Sequence, residues 1–229
     1  AEIAPDLSVP RVLGYGREGA LTEYTLMTRM PGIAMRHAAL AEEERQAALN
    51  ELGRTLRRIH ELPLAPFVAS GLFPGDQSFV DLQIRLGTSF NELADKIRDE
   101  QRPWQLPLTP EQVGARALLS IPRSDERAAL HSNPYLEHVF VHPEGGRYSG
   151  LIDFGDAYLS HPALDMRRWN QVADREALLR GYTSERPVSD AFLATWRAVM
   201  ILGDVTAIAH YPDRAAEAQY DLRLLLDQL

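Results

Sequence analysis

The sequence has no cysteine among its 229 residues. That excludes a disulfide framework and any thiolate metal site, and it leads to the expectation of a reducing, cytoplasmic setting. Lysine is almost missing too: Lys96 stands alone, so the positive charge is carried by arginine. No apolar run approaches the ~20 residues that cross a bilayer as a helix, so no membrane partner is expected. Residues 1–14 lack the basic stretch and apolar core of a signal peptide. They also lack an initiating Met, which points to trimming or processing. Runs of Lys or Arg are absent and the net charge is −8, so no nucleic-acid partner is expected.

What is present reads as a folded α+β chain. Hydrophobic residues make up 45% of it, enough for a large core without covalent or metal staples. Residues 9–15 and 22–30 read as two strands around a turn at 17–20, the second stopped by Pro31-Gly32. Residues 42–60 carry Leu49, Leu52, Leu56 and Ile59 at helical spacing. Residues 77–98 do the same with Phe79, Leu82, Leu86, Phe90, Leu93 and Ile97. Thr109-Pro110-Glu111-Gln112 has the composition of a helix start with a capping box. Residues 137–141 and 148–153 read as short strands around the turn at 142–146. After Pro162 the chain reads as helical to its end, most clearly over 190–210 and 214–228, with Phe192, Trp196, Val199 and Gly203 on one face. The order, a strand pair, helices, a hairpin and more helices, is that of an α+β fold with a mostly helical body.

The chemistry-bearing residues gather between 130 and 168. His131, Asn133, His138 and Asp153 stand at the ends of two apolar runs, where strand-end loops bring such residues together. Asn133 either belongs to an altered site or bonds within the loop before Pro134; as an amide it cannot take a proton. His138 is a metal ligand or a hydrogen-bonding residue at a strand start; imidazole suits transition metals better than Mg²⁺. Asp153 ends a run expected to be buried in a strand. Its carboxylate therefore needs a metal, a loop amide or an Arg as partner. Asp156 reads as a turn residue. Gly14, Gly16 and Gly19 have the spacing of a phosphate-binding glycine loop, but a strand-like segment follows instead of a helix, so they read as a hairpin turn.

The order His131, Asn133, His138, the hairpin, Asp153-Phe154-Gly155 and then Pro162-Ala163-Leu164-Asp165 resembles the catalytic centre of the aminoglycoside phosphotransferase family, on the protein-kinase-like fold. The resemblance implies a small-molecule kinase that moves a phosphoryl group from ATP or GTP, with Mg²⁺, to a hydroxyl of an aminoglycoside- or macrolide-type acceptor. It puts Asn133 at the position of the catalytic Asp and His138 and Asp153 at the metal positions. His131 and Asp165 become structural supports, Asp165 by helix capping and loop bracing. Thr28 and Met30 fall on the hinge that meets the nucleotide. It also implies two parts: residues 1–31 as a remnant of the small lobe with the hinge, and 32–229 as the helical large lobe. The acceptor pocket is then expected between the helical region 77–120 and the C-terminal helices.

Two departures qualify that implication. Asn133 replaces a general base, whose assistance contributes ~10²–10⁴-fold in rate. The Gly-rich phosphate loop and the strand Lys of the small lobe are missing, on the order of 60–80 residues by the usual extent of that lobe. Three readings follow: a phosphotransferase, a catalytically impaired kinase-like domain that binds a small molecule or a protein, and a metal-dependent hydrolase built on His131, His138, Asp153 and a transition metal. The strand pair at 9–30, lacking its sheet, leaves edges through which a homodimer could form.

Overall fold

The computed structural model describes residues 6–19, 22–169 and 171–229. β1 (Val12–Glu18) and β2 (Thr22–Met27) pair antiparallel, with Tyr15 opposite Thr25 and Gly16 opposite Tyr24. The strand takes in Arg17 and Glu18, which the sequence had suggested for the turn. Gly19 begins the turn at φ 64°, a conformation glycine adopts without strain. Ala20, the last residue of the expected turn, lies outside the described residues. β2 stops earlier than expected because Thr28 closes the hairpin on Arg11: its N–H donates to the Arg11 carbonyl and its hydroxyl accepts from the Arg11 N–H, both at 2.8 Å. Gly14 and Gly16 therefore sit inside a strand, and the glycine spacing is that of a hairpin.

Two small sheets frame the central loops. β3 (Ile33–Ala34) pairs with β5 (Val139–Val141), which pairs with β6 (Tyr148–Leu151), all antiparallel. β4 (Ala128–Leu130) pairs with β7 (Tyr158–Ser160). Loop 131–138 runs from β4 to β5, and loop 152–157 runs from β6 to β7. Each loop is thus anchored at both ends by a buried strand.

The helical body packs below these sheets. α1 (Glu42–His60) buries Leu49, Leu52, Leu56 and Ile59, the expected stripe. A six-residue helix, α2 (Ala65–Ser70), follows it. α3 (Phe79–Asp99) buries Leu82, Leu86, Phe90, Leu93 and Ile97, and Ser78 caps it by accepting from the Asp81 N–H at 3.3 Å. α4 (Pro110–Ser120) starts with the reciprocal bonds of a capping box: Thr109 Oγ1 accepts from the Gln112 N–H, and Gln112 Oε1 from the Thr109 N–H. After a 3₁₀ turn (Pro162–Met166) come α5 (Val172–Tyr182), α6 (Asp190–His210) and α7 (Ala215–Leu226).

α6 corrects one expectation. It is long and apolar enough, by length and composition, to cross a membrane. Most of its apolar stretch, 61%, is buried inside the protein, with Phe192, Val199, Ile201, Val205 and Ile208 fully enclosed. It packs against α3, α4 and α7 as the central core helix. At ~1.5–3 kcal/mol for each enclosed large side chain, that burial is what holds the helix in place.

α1 and α5 meet backbone to backbone. A Cβ on Gly53 would stand 2.1 Å from the Leu178 carbonyl oxygen, and one on Gly181 would stand 1.8 Å from that of Asn50. No side chain fits at either position, so two glycines are the condition for this approach.

Candidate active site

The loop from His131 to His138 is built on one buried carboxylate. Asp165, fully enclosed, accepts the His131 N–H on Oδ2 and the Ser132 N–H on Oδ1, both at 2.7 Å. Its Oδ2 also takes the Nε2–H of His60 at 3.0 Å, and the other nitrogen of His60 lies 2.9 Å from the Tyr182 hydroxyl. Helix capping is not its role: the 3₁₀ turn that contains it is capped by His161, whose Nδ1 accepts from the Ala163 N–H. Asp165 faces the loop instead, because a carboxylate in the core must find donors and the loop amides are the nearest ones.

His131 is also enclosed. Its Nε2–H donates to the Ile152 carbonyl at 2.8 Å and its Nδ1 accepts from the Asn133 N–H at 3.2 Å. Burial, the largest influence, pushes its pKa down, consistent with a neutral ring that uses both nitrogens. It links the two central loops and has no lone pair left for a metal. Among the described residues no group of three or more His, Cys, Asp or Glu side chains could hold a metal ion. The hydrolase reading, which needed His131, His138 and Asp153 together, is therefore overturned.

His138 and Asp153 do come together. The His138 Nδ1–H donates to the Asn133 carbonyl at 2.8 Å. A carbonyl only accepts, so this bond fixes the proton on Nδ1 and leaves Nε2 with its lone pair. That nitrogen faces Asp153 Oδ2 at 3.3 Å. Two acceptors so placed require a proton or a cation between them. The donor set fits a metal that brings its remaining ligands on phosphate oxygens, since the described residues offer only these two.

Asp153 differs from its expected setting. β6 ends at Leu151, and Asp153 turns outward at φ 67° with its side chain 58% exposed. It is not a buried strand carboxylate; its second oxygen accepts weakly from the Gly155 N–H at 3.4 Å. Asp156 lies in the turn that follows.

Asn133 uses its backbone for the loop and keeps its side chain free. Its carbonyl accepts from Tyr135 as well as His138, while its amide side chain makes no hydrogen bond among the described residues. That side chain lines a cleft of about 810 Å³ between α3 and α6. Ser89, Glu92, Leu93 and Lys96 form one wall, and Leu202, Gly203, Thr206, Ala207 and His210 the other. Arg167 and Arg168 close its floor, with Tyr135, Glu137 and Arg36 on the loop side. α4 takes no part in the lining, although the expected wall extended to residue 120. At the expected hinge, the Thr28 N–H is already committed to Arg11, and Met30 is buried, its sulfur lying over Gly150.

Sequence reasoning missed His60, Tyr182 and the Arg167–Arg168 pair as parts of the site. His60 sits at the end of the α1 stripe and carries no local mark of its partner 105 residues on.

A helical body beneath short sheets, two hairpin-anchored loops, and a His–Asp pair bonded to the backbone of an Asn that lines a cleft define a kinase-like phosphotransferase fold. The chain belongs to the phosphotransferase enzyme family APH, whose model matches residues 1–200. It is similar to an aminoglycoside 3'-phosphotransferase of Streptomyces ribosidificus, 27% identical over 157 residues, which is 65% of this chain and 53% of that protein. The chain thus spans about half the length of this relative. Among solved structures it resembles macrolide 2'-phosphotransferase type I, with TM-score 0.60 and 18% identity over 98% of this chain and 73% of the other. It also resembles macrolide 2'-phosphotransferase MphH from Brachybacterium faecium, with TM-score 0.61 and 16% identity over 96% and 76% of the two chains. At these identities the structural likenesses establish the fold.

Proposed function

We propose that this chain is the acceptor- and metal-binding body of a phosphotransferase that moves the γ-phosphoryl group of ATP or GTP to a hydroxyl of a small molecule. The observation that carries the reading is the His138–Asp153 pair, 3.3 Å apart, with its tautomer fixed by the carbonyl of Asn133. Asn133 lines the cleft, and His138, bonded to its carbonyl, faces Asp153. His138 Nε2 and Asp153 Oδ2 would hold the divalent cation, which when bound neutralises charge on the transferring phosphates. Asn133 orients the acceptor hydroxyl by hydrogen bonding but cannot take its proton, so turnover is slow. His131, Asp165, His60 and Tyr182 fix the loop. Residues 1–31, with Thr28 and Met30, serve as small-lobe strands and hinge.

Calorimetric titration of the 229-residue chain with ATP and GTP, in Mg²⁺ or Mn²⁺, tests this reading. Metal-dependent nucleotide binding is expected, and Asn133→Asp is expected to raise phosphotransfer by ~10²-fold or more. Absence of nucleotide binding at millimolar concentration sinks it. What remains then is an impaired kinase-like domain that binds a small molecule or protein.

The hairpin supports a second reading, of self-association through residues 9–30. Val12, Leu13, Tyr15, Tyr24, Leu26 and Met27 are each more than half exposed on its two strands. A clean monomer by sedimentation at high protein concentration counts against it.

A further inference from the structure

The cleft carries a charge opposite to that of the whole chain. Net charge is −8, yet Arg36, Lys96, Arg167, Arg168 and Arg214 line the cleft against only Glu92 and Glu137. Three of those cations are already matched. Arg36 meets Glu137 at 2.7 Å, Lys96 pairs with Glu100, and Arg214 lies 4.0 Å from Glu217. Arg167 and Arg168 make no ion pair among the described residues. Arg167 is half-buried and Arg168 exposed. Burial is the main influence that holds the Arg167 pKa down; Arg168 and Arg85 add to it, against Tyr158 and Asp165. Two consecutive arginines, one partly desolvated, line the same cleft as Asn133 with no ion pair among the described residues.

Their backbone is braced on two sides. Both follow directly on the 3₁₀ turn that contains Asp165, which is bonded to the loop of Asn133. From the other side α6 presses on the same backbone: a Cβ on Gly203 would stand 2.8 Å from the Arg167 carbonyl oxygen. The backbone that carries the pair is thus tied to the loop of Asn133. A guanidinium presents a planar fork of donors that matches carboxylate and phosphate oxygens. Glu92 is the one lining carboxylate outside an ion pair, too little to balance both arginines.

We propose that Arg167 and Arg168 form an oxyanion subsite in the cleft, and that the hydroxyl compound this chain accepts carries a carboxylate or phosphate group. A polyamine acceptor would meet two cations where it needs acids. The assignment of this anion to the acceptor rests on the phosphotransferase reading above; the anion subsite itself does not. The same oxyanion chemistry has a second source, the phosphates of the nucleotide, and the test separates the two.

The experiment is calorimetric titration of the full chain with glucose 6-phosphate, gluconate and kanamycin. Each is run alone and again with a saturating non-hydrolysable ATP analogue and Mg²⁺. At least one of the two anions is expected to bind, with or without the analogue, and kanamycin about tenfold more weakly or not at all. Arg167→Gln/Arg168→Gln is expected to weaken anion binding about tenfold or more. Arg168→Gln alone, at an exposed position, serves if the double variant does not fold, with a smaller loss in the same direction. Four results overturn the proposal: no anion binding at millimolar concentration, kanamycin binding tighter than both anions, unchanged anion affinity in the variants, or displacement of the anion by the ATP analogue. The last assigns the arginines to the nucleotide. Because the first titrations contain no nucleotide, failure to bind ATP or GTP removes the phosphotransferase reading while leaving the subsite measurable.

Discussion

Asp165 holds the N–H of Ser132 at 2.7 Å, and Ser132 has φ 83°, a conformation that side chains other than glycine rarely adopt. The loop that aims Asn133 is therefore strained at one residue and pinned at that same residue. Asp165→Asn keeps the shape but turns an amide NH₂ toward one of three donors. It is expected to cost ~2–4 kcal/mol of stability. Scanning calorimetry reads this as a drop of several degrees in Tm; a Tm within a degree or so of the parent contradicts the account.

Ser132→Gly relieves the strained conformation while leaving the N–H for Asp165. A gain of ~0.5–1 kcal/mol in urea unfolding is expected. A loss would mean that the serine side chain contributes something its backbone geometry does not reveal.

His161 gives the chain an acid-side weakness. Burial pushes its pKa down to about 4, and its Nε2 has no hydrogen-bond partner. The unfolded state takes up the proton near pH 6.5 and the folded state only near 4, so stability falls as pH drops through that window. The contribution is on the order of 3 kcal/mol. His161→Asn, which keeps an acceptor for the Ala163 N–H, is expected to flatten the slope of stability between pH 6.5 and 4. An unchanged slope places the acid sensitivity elsewhere.

Asp204 acts with the opposite sign. It is buried on α6, its Oδ2 has no hydrogen-bond partner, and Arg175 Nη1 stands 3.8 Å away. Burial raises its pKa well above the usual carboxylate range, with Arg175 opposing. Its ionised form is thus penalised in the folded state, and that penalty grows as pH rises above the unfolded value. Asp204→Asn is expected to be neutral or to stabilise by ~1 kcal/mol at pH 7, with less gain at pH 4. A loss above ~2 kcal/mol at pH 7 would show that the Arg175 pairing outweighs burial.

Legibility in the sequence followed length and periodicity. α1 and α6 match residues 42–60 and 190–210, because a stripe repeated over five turns leaves no other solution. The start of α4 was legible because its cap is encoded within four consecutive residues, Thr109 to Gln112. β3, β4 and β7 were missed: two or three residues carry no period, and β4 is buried throughout, without alternation. α2 was missed for the same brevity. The position of Asp153 was misjudged because strand length, not composition, decides where a carboxylate emerges. The meeting of His138 with Asp153 needed only two neighbouring hairpin ends. Asp165 with His60, and Arg167 with Arg168 on a cleft floor, depended on contacts between distant segments, for which one sequence holds no local trace.

The glycine contact between α1 and α5 has a mechanical consequence. Gly53 and Gly181 weld the two helices at a point seven residues before His60 and one before Tyr182. The two groups that steady Asp165 thereby ride on a single stiff lever. A side chain as small as methyl at either glycine would pry the lever open and tilt the imidazole away from the carboxylate. The aim of Asn133 would then be lost from far below the cleft, with every residue around it intact.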